Sequence, residues 1–357
     1  MKKLIVLSVV FALVASAAFA VDLGASVFGL VTPVQWDNDS GDITSSGSMQ
    51  RLRLQGSGDV ADGAFGGWIR FDPAGFDWAN NFGSGVSGYA YWKPIDQFKM
   101  VIGGNPDGMY GKEGVTGWMF HENPYDAGVA FVGGNVWGWG PYNGGDIKTR
   151  DVFYGGFGGN ALHLNITPIE VFTVNLVLPF FDGGEIGDVL TSVKAQLDFN
   201  LEFGNIALTY DGGTSGGRVF LYYGGPIGPL GLDVGVSYGF DDDSNYTIGA
   251  GLGLKFATDA FGIKFRVVTT ITADDFNLLG EILPFFPFSD KLAVFIGIGA
   301  AMIQKGSNDA AIDFHVNPYI RVGEEWGAQF LAGVQLYSTG NLDKINLSVP
   351  IAIMLNF

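Results

Sequence analysis

Charged residues recur at alternate positions in several stretches of this chain. Arg51 and Arg53 stand two apart, and Arg70, Lys93 and Lys99 follow. Lys194, Asp198, Glu202, Lys255, Lys264, Arg266, Glu281, Asp313 and His315 continue the pattern. A spacing of two puts such residues on one face of an extended strand. Fixed charges on one wall break no bonds; they draw counter-charges, orient dipoles and turn apolar solutes away. Burying a charge alone is costly, so charges this frequent on one parity predict a wetted interior.

Other arrangements test for catalysis and metals. Gly213, Ser215 and Gly217 spell G-x-S-x-G, but that motif needs a strand-to-helix elbow and here it sits in a Gly-rich hairpin. His121, His163 and His315 are far apart and share no metal-ligand spacing. The acidic clusters Asp37–Asp42 and Asp241–Asn245 offer oxygens for Ca²⁺, yet the first has Ser48 where an EF-hand needs a bidentate acid. Solvated loops account for both. Neither an enzyme, a metal site nor a cofactor is expected. With no Cys there is also no disulfide framework or lipoprotein anchor.

The elements that must hold these charges are strands. From Lys344 to Phe357 apolar residues alternate without a break: Ile345, Leu347, Val349, Ile351, Ile353, Leu355 and Phe357. Between Val193 and Phe203 the apolar parity opposes Lys194, Gln196, Asp198, Asn200 and Glu202. The longest apolar run after the N-terminal segment, Leu292 to Ile303, is too short for a spanning helix of ~20 residues and suits a strand of ~9–11. Alternation over most of the chain makes an apolar face too large for any helix here to cover. A closed barrel in lipid resolves this and removes the sheet edges.

Turn signals set the topology. Short ones fall near residues 58–63, 93–97, 167–170, 204–205, 225–231, 257–260, 287–290 and 323–325. Longer loops rich in Gly, Asp, Asn and Ser lie between them, at 37–47, 72–84 and 241–245. This predicts an all-β fold: a transmembrane antiparallel barrel of about 16–18 strands, with short periplasmic turns and longer extracellular loops. The first strand runs near Asp22 to Val34. Trp92, Phe240, Phe256, Phe261 and Trp326 sit at strand ends on the apolar parity, as interfacial girdles do.

Residues 1–20 carry Lys2 and Lys3, an apolar run from Leu4 to Val14, and Ala18-Phe19-Ala20. That is the pattern of a secretory signal peptide cut after Ala20. Residues 21–357 then form one barrel domain. Losing Lys2 and Lys3 leaves 17 basic against 36 acidic residues, and moves the net charge from −17 to −19. Nucleic acid is therefore not an expected partner.

Taken together, the leader, the absent Cys, the alternating strands and the end Ile351-Ala352-Ile353-Met354-Leu355-Asn356-Phe357 resemble the Gram-negative outer-membrane barrels. Their size is most similar to a porin. The resemblance implies residence in the outer-membrane bilayer and a C-terminal signal, Phe357 with Leu355 and Ile353, read by the barrel insertion machinery. It also implies a homotrimer, and a third loop folded inward as a constriction. By position that loop is 105–158, carrying Glu113, Glu122 and Asp126 to face Arg51, Arg53 and Arg70. Its Trp118, Tyr125, Trp137 and Trp139 would either stack on sugar rings or pack the loop against the wall. The expected function is passive diffusion of small hydrophilic solutes through a charged lumen. A carrier for hydrophobic compounds and a surface adhesin are the alternatives.

Overall fold

β-Branched and aromatic residues alternating with small or polar ones favour a pleated sheet, and almost every described residue is in one. The computed structural model describes residues 21–74, 83–104, 161–180, 185–242, 245–323, 327–339, 341 and 343–356. The first strands are β1 (Val21–Asp37), β2 (Ile43–Val60), β3 (Phe65–Ala74), β4 (Gly83–Ile95) and β5 (Phe98–Gly103). Next come β6 (Ala161–Ile169), β7 (Phe172–Pro179), β8 (Lys194–Leu201), β9 (Gly204–Gly213), β10 (Gly216–Ile227) and β11 (Leu230–Asp241). The remainder are β12 (Tyr246–Ala257), β13 (Gly262–Thr272), β14 (Phe276–Ser289), β15 (Leu292–Gln304) and β16 (Ala311–Gly323). Last are β17 (Gln329–Gly333), β18 (Gln335–Thr339) and β19 (Lys344–Asn356).

β17 and β18 are two halves of one strand, since both pair with β16 and both with β19. The break has a local cause. Val334 donates its N–H to the Pro318 carbonyl at 3.0 Å, but Pro318 has no N–H to return the bond, so the ladder is interrupted there. Counting the halves once turns 19 segments into eighteen strands. Each pairs antiparallel with the next, and β1 pairs with β19, so the sheet returns upon itself. Asn38 clasps this seam: its N–H donates to the Ile345 carbonyl (3.0 Å), while its side-chain oxygen accepts the Ile345 N–H (2.7 Å). Beside it Lys344 meets Asp39 at 3.1 Å. Among the described residues every strand thus has a paired neighbour on each side, as lipid requires.

Among the described residues seven of the eight expected short turns lie at one rim, and most of the eighth, at 323–325, lies outside them. The tightest backbone among them is at Ala61 and Asp62 (φ +54° each) and Gly63 (φ +83°), where the glycine accepts the left-handed conformation without cost. The other rim is less uniform than the sequence suggests. It holds the long 104–160 connection, but also a two-residue hairpin at Thr214–Ser215 and a three-residue one at 273–275. Among the described residues a short helix, α1 (Ile186–Thr191), stands on the β7–β8 connection, where no helix is expected from sequence. Among the described residues no helix is long and apolar enough to cross a membrane.

Exposure alternates with parity. Leu208, Val219, Leu221, Val234, Val236, Ile248 and Leu252 are exposed, while their neighbours on the other parity are buried or half-buried. The apolar parity thus faces out, toward lipid. Rings pair along it near the rims: Phe65 with Trp92 (6.5 Å), Phe172 with Phe199 (4.9 Å) and Phe261 with Phe286 (5.3 Å) by the short turns, and Tyr238 with Phe240 (6.2 Å) by the loops. Of the expected girdle residues, Trp92 and Phe240 are exposed, Phe256 and Phe261 half-buried, and Trp326 lies outside the described residues.

Candidate functional site

The inner wall divides into three stretches. On β1–β5 cations meet aromatic rings. Trp68 of β3 stands opposite Tyr89 of β4 in register, their rings 5.8 Å apart. The Arg70 guanidinium lies 5.5 Å from the Trp68 ring centre. Lys99 of β5 rests its ammonium 4.4 Å from the Tyr91 ring. The faces of such rings are electron-rich, so each contact holds a cation without neutralising it. Arg53 shares this face, half-buried and opposite Ser26. Arg51 of β2 is placed by backbone register alone, opposite Phe28 of β1.

On β6–β11 the polar groups hold one another. Asn165 donates to Asn175 at 2.7 Å, and Asn175 donates to Asp198 Oδ2 at 3.1 Å. Gln196 donates to the same oxygen at 2.7 Å and accepts from Thr209 at 3.2 Å. Asp198 is only 4% exposed. Two amide donors on one carboxylate oxygen are what make burial of its charge tolerable. Further along, Lys194 makes a salt bridge with Asp211, which stands opposite it in register. Tyr222 crosses to the next strand and donates its hydroxyl to Asp233 at 2.8 Å.

On β11–β16 a single row runs through the register: Asp233, Gly253, Arg266, Glu281, Gly299 and His315. Opposite charges directly across a ladder attract, and Arg266 and Glu281 have that relation. Glycine makes room for its neighbour at Gly299, where any β-carbon would overlap the His315 ring. Lys255 and Lys264 are also directly opposite, a like-charged pair costing roughly 0.2–1 kcal/mol. This stretch is not the freely wetted wall the sequence predicts. Lys264 and Arg266 are each 5% exposed and Glu281 2%. Cross-strand partners and glycine gaps let long side chains lie close on the wall.

No family model matches the chain, and no curated protein matches its sequence. Solved structures do match it. The outer membrane protein OpdK from Pseudomonas aeruginosa aligns over 94% of this chain and 98% of its own, with a TM-score of 0.58 at 8% identity. A BenF-like porin from Pseudomonas fluorescens Pf-5 aligns over the same shares, with a TM-score of 0.60 at 8% identity. An anion-selective porin from Comamonas acidovorans gives 0.52 at 12% identity, over 94% of this chain and 99% of its own. The fold is that of the porin-like outer-membrane barrels.

Within this porin-like barrel the expected wall residues separate. Arg53, Arg70, Lys99, Lys194, Lys255, Lys264, Arg266, Glu281, Asp313 and His315 are all on the inward parity of described strands. Two others are not on the wall proper. Glu202 lies exposed in the β8–β9 turn, beyond the end of β8, and Lys93 reaches Asp96 in the β4–β5 turn at 2.8 Å. Ile353 and Leu355 keep the outward parity on β19, opposite Gly29 and Val27. Glu113, Glu122, Asp126, Trp118, Tyr125, Trp137, Trp139, His121 and Phe357 lie outside the described residues.

The discarded alternatives also find structural reasons. Ser215 sits in the two-residue turn between β9 and β10, with no helix after it. His163 and His315 stand on β6 and β16, well apart around the barrel. The Asp37 carboxylate is occupied in its own turn, accepting from the Asp39 and Ser40 N–H groups at 2.7 and 3.3 Å. Asp241 likewise accepts from the N–H and side-chain amide of Asn245 at 2.8 and 2.9 Å. Sequence reasoning missed Asp211, Asp233, Tyr222 and the inward aromatics Trp68, Tyr89 and Tyr91. Asp233 was findable: Leu232, Val234, Val236 and Tyr238 flank it on a clean apolar parity.

Proposed function

We propose that this barrel is a porin of the outer membrane, giving passive diffusion of small hydrophilic solutes. One observation carries the reading. A closed ring of eighteen strands turns its apolar parity outward and its charged, amide and hydroxyl side chains inward. Barrels of 16–18 strands leave a lumen, whereas barrels of about eight fill with side chains. A carrier for hydrophobic compounds would need an apolar path, and Asn165, Asn175, Gln196, Asp198 and Thr209 make the wrong wall for one. The fold likeness to porins supports the same reading. In this account residues 1–20 are the export leader, and the strand ending in Ile353, Leu355 and Phe357 carries the assembly signal.

Proteoliposome swelling tests it. Liposomes holding the purified barrel should swell in small sugars, at rates that fall steeply as solute size rises. Absence of swelling at every size would overturn the porin and leave a structural or adhesive role.

A further inference from the structure

Breaks in three neighbouring ladders fall on one line around the barrel. Beside β16 the line passes Pro318 and Val334, where β17 gives way to β18. Beside β19 the registered pairs stop at Ala332–Ile351 and resume at Gln335–Ser348, with Pro350 in the gap. Across the closing seam the register shifts between Val31 and Val34 of β1, so Pro33 stands at the height of Pro350. Proline has no N–H, so β16, β19 and β1 each lack a ladder donor on this line. On its loop-rim side stand β18 and the 344–349 half of β19. Their outer rungs are few: Phe314–Ser338 to Val316–Leu336 toward β16, and Val34–Val349 to Asp37–Asn346 toward β1. By contrast β15 and β16 pair without a gap from Leu292 to Ile303.

Two asparagines fasten this piece at its flanks. Toward β1, Asn38 gives its N–H to the Ile345 carbonyl and takes the Ile345 N–H on its side-chain oxygen. Its amide also donates to the Asp343 carbonyl at 3.2 Å. Toward β16, Asn341 repeats the device: its N–H donates to the Ile312 carbonyl at 3.0 Å, and its side-chain oxygen accepts the Ile312 N–H at 2.8 Å. In each case a side-chain amide replaces a peptide carbonyl and adds a rung beyond the strand end. Both asparagines are exposed, so water competes for these bonds. We infer that β18 and the 344–349 half of β19 form a hinged leaf of the barrel mouth, bending at the proline line and latched by Asn38 and Asn341. Missing ladder bonds on one line localise the bend, as hinges require. Release of the clasps lets the leaf move while the short-turn half of the seam stays closed. The inference needs only the closed barrel and not the channel reading.

Hydrogen exchange of the folded barrel in detergent micelles, read by fragment mass spectrometry, tests the leaf. Asn38→Ala combined with Asn341→Gly removes both clasps; glycine suits the second site because Asn341 has φ +61°. This variant should speed exchange of β18 and of residues 344–349 about tenfold. Residues 351–356, on the same strand beyond the line, should stay within about twofold of the wild type. Equal acceleration of both halves of β19 overturns the hinge, and no acceleration of either overturns the latch. If the double variant does not assemble, Asn38→Ala alone decides, and an unchanged rate at 344–349 overturns the inference. The Asn245 amide is held in its own loop by Asp241, so Asn245→Ala should leave β18 and β19 as they are. Acceleration of the leaf by that distant change would also overturn it.

Discussion

The walls of β6–β9 and β1–β5 carry the same inward parity but hold their polar groups in opposite ways. On β6–β9 polar groups hold one another within the wall: Asn175 and Gln196 donate to the buried Asp198, with Asn165 donating to Asn175 and Thr209 to Gln196. On β1–β5 Arg70 and Lys99 lie on Trp68 and Tyr91, so there cations meet aromatic faces. One stretch is a hydrogen-bonded seam that stiffens the barrel. The other sets cations against aromatic rings on the inward face. Polarity alone does not separate these roles; the partner of each polar group does.

The sharpest way to break this contrast is at its most buried point. Asp198→Ala should strand the Asn175 and Gln196 amides and cost about 2–6 kcal/mol, since each buried donor left unsatisfied costs roughly 1–3 kcal/mol. Asp22→Ala on the open wall should change stability by less than about 0.5 kcal/mol, the range of ordinary exposed substitutions. Urea unfolding in lipid vesicles, followed by tryptophan fluorescence, gives both values. Equal losses at the two positions would mean that the walls do not differ as described.

Much of this contrast could not be read from the sequence. Parity was legible, because alternation in segments such as 193–203 and 344–356 assigns each side chain to a face. Pairing across strands was not. Register depends on local irregularities, such as the Val334 break opposite Pro318 and the shift between Thr32 and Gln35 on β1. A slip of one residue reverses every face. Hence Lys194 was legible as a wall charge, while its partner Asp211, next to the Gly212-Gly213 turn, reads as loop. Trp68 and Tyr89 lie 21 positions apart in sequence; only the β3–β4 register makes them neighbours. The alternation of short and long turns was legible at the short-turn rim, where seven of the eight turns stand among the described residues. At the other rim the Thr214–Ser215 hairpin shows that a loop there need not be long.

A smaller effect should appear on the aromatic wall itself. Lys99→Met removes one cation–π contact and should lower stability by only about 0.5–1 kcal/mol. Its larger consequence is electrical. Taking a positive charge from the wall lowers the local potential felt by an entering ion. The reversal potential in a salt gradient should move toward cation preference. The difference from wild type should shrink as ionic strength rises, because screening shortens the reach of the charge. A reversal potential unmoved at low salt would place Lys99 out of the solute path.

The least effect is expected at the foot of the same wall, where Lys93 meets Asp96 in the β4–β5 turn at 2.8 Å. The hydrogen bond from Lys93, and then its charge, hold the Asp96 carboxyl below its ordinary range. A depressed folded-state pKa stabilises the barrel above the unfolded value, and that contribution is lost as pH falls through the folded one. Asp96 is fully exposed, so water and salt screen the pair and little stability depends on it. Carboxyl NMR should show Asp96 titrating below about 3.9, and Lys93→Ala should return it to that value. Unfolding midpoints of the two proteins should coincide at neutral pH. A clear loss of stability in Lys93→Ala would show that this rim pair belongs with the buried seam of β6–β9 and not with the open wall above it.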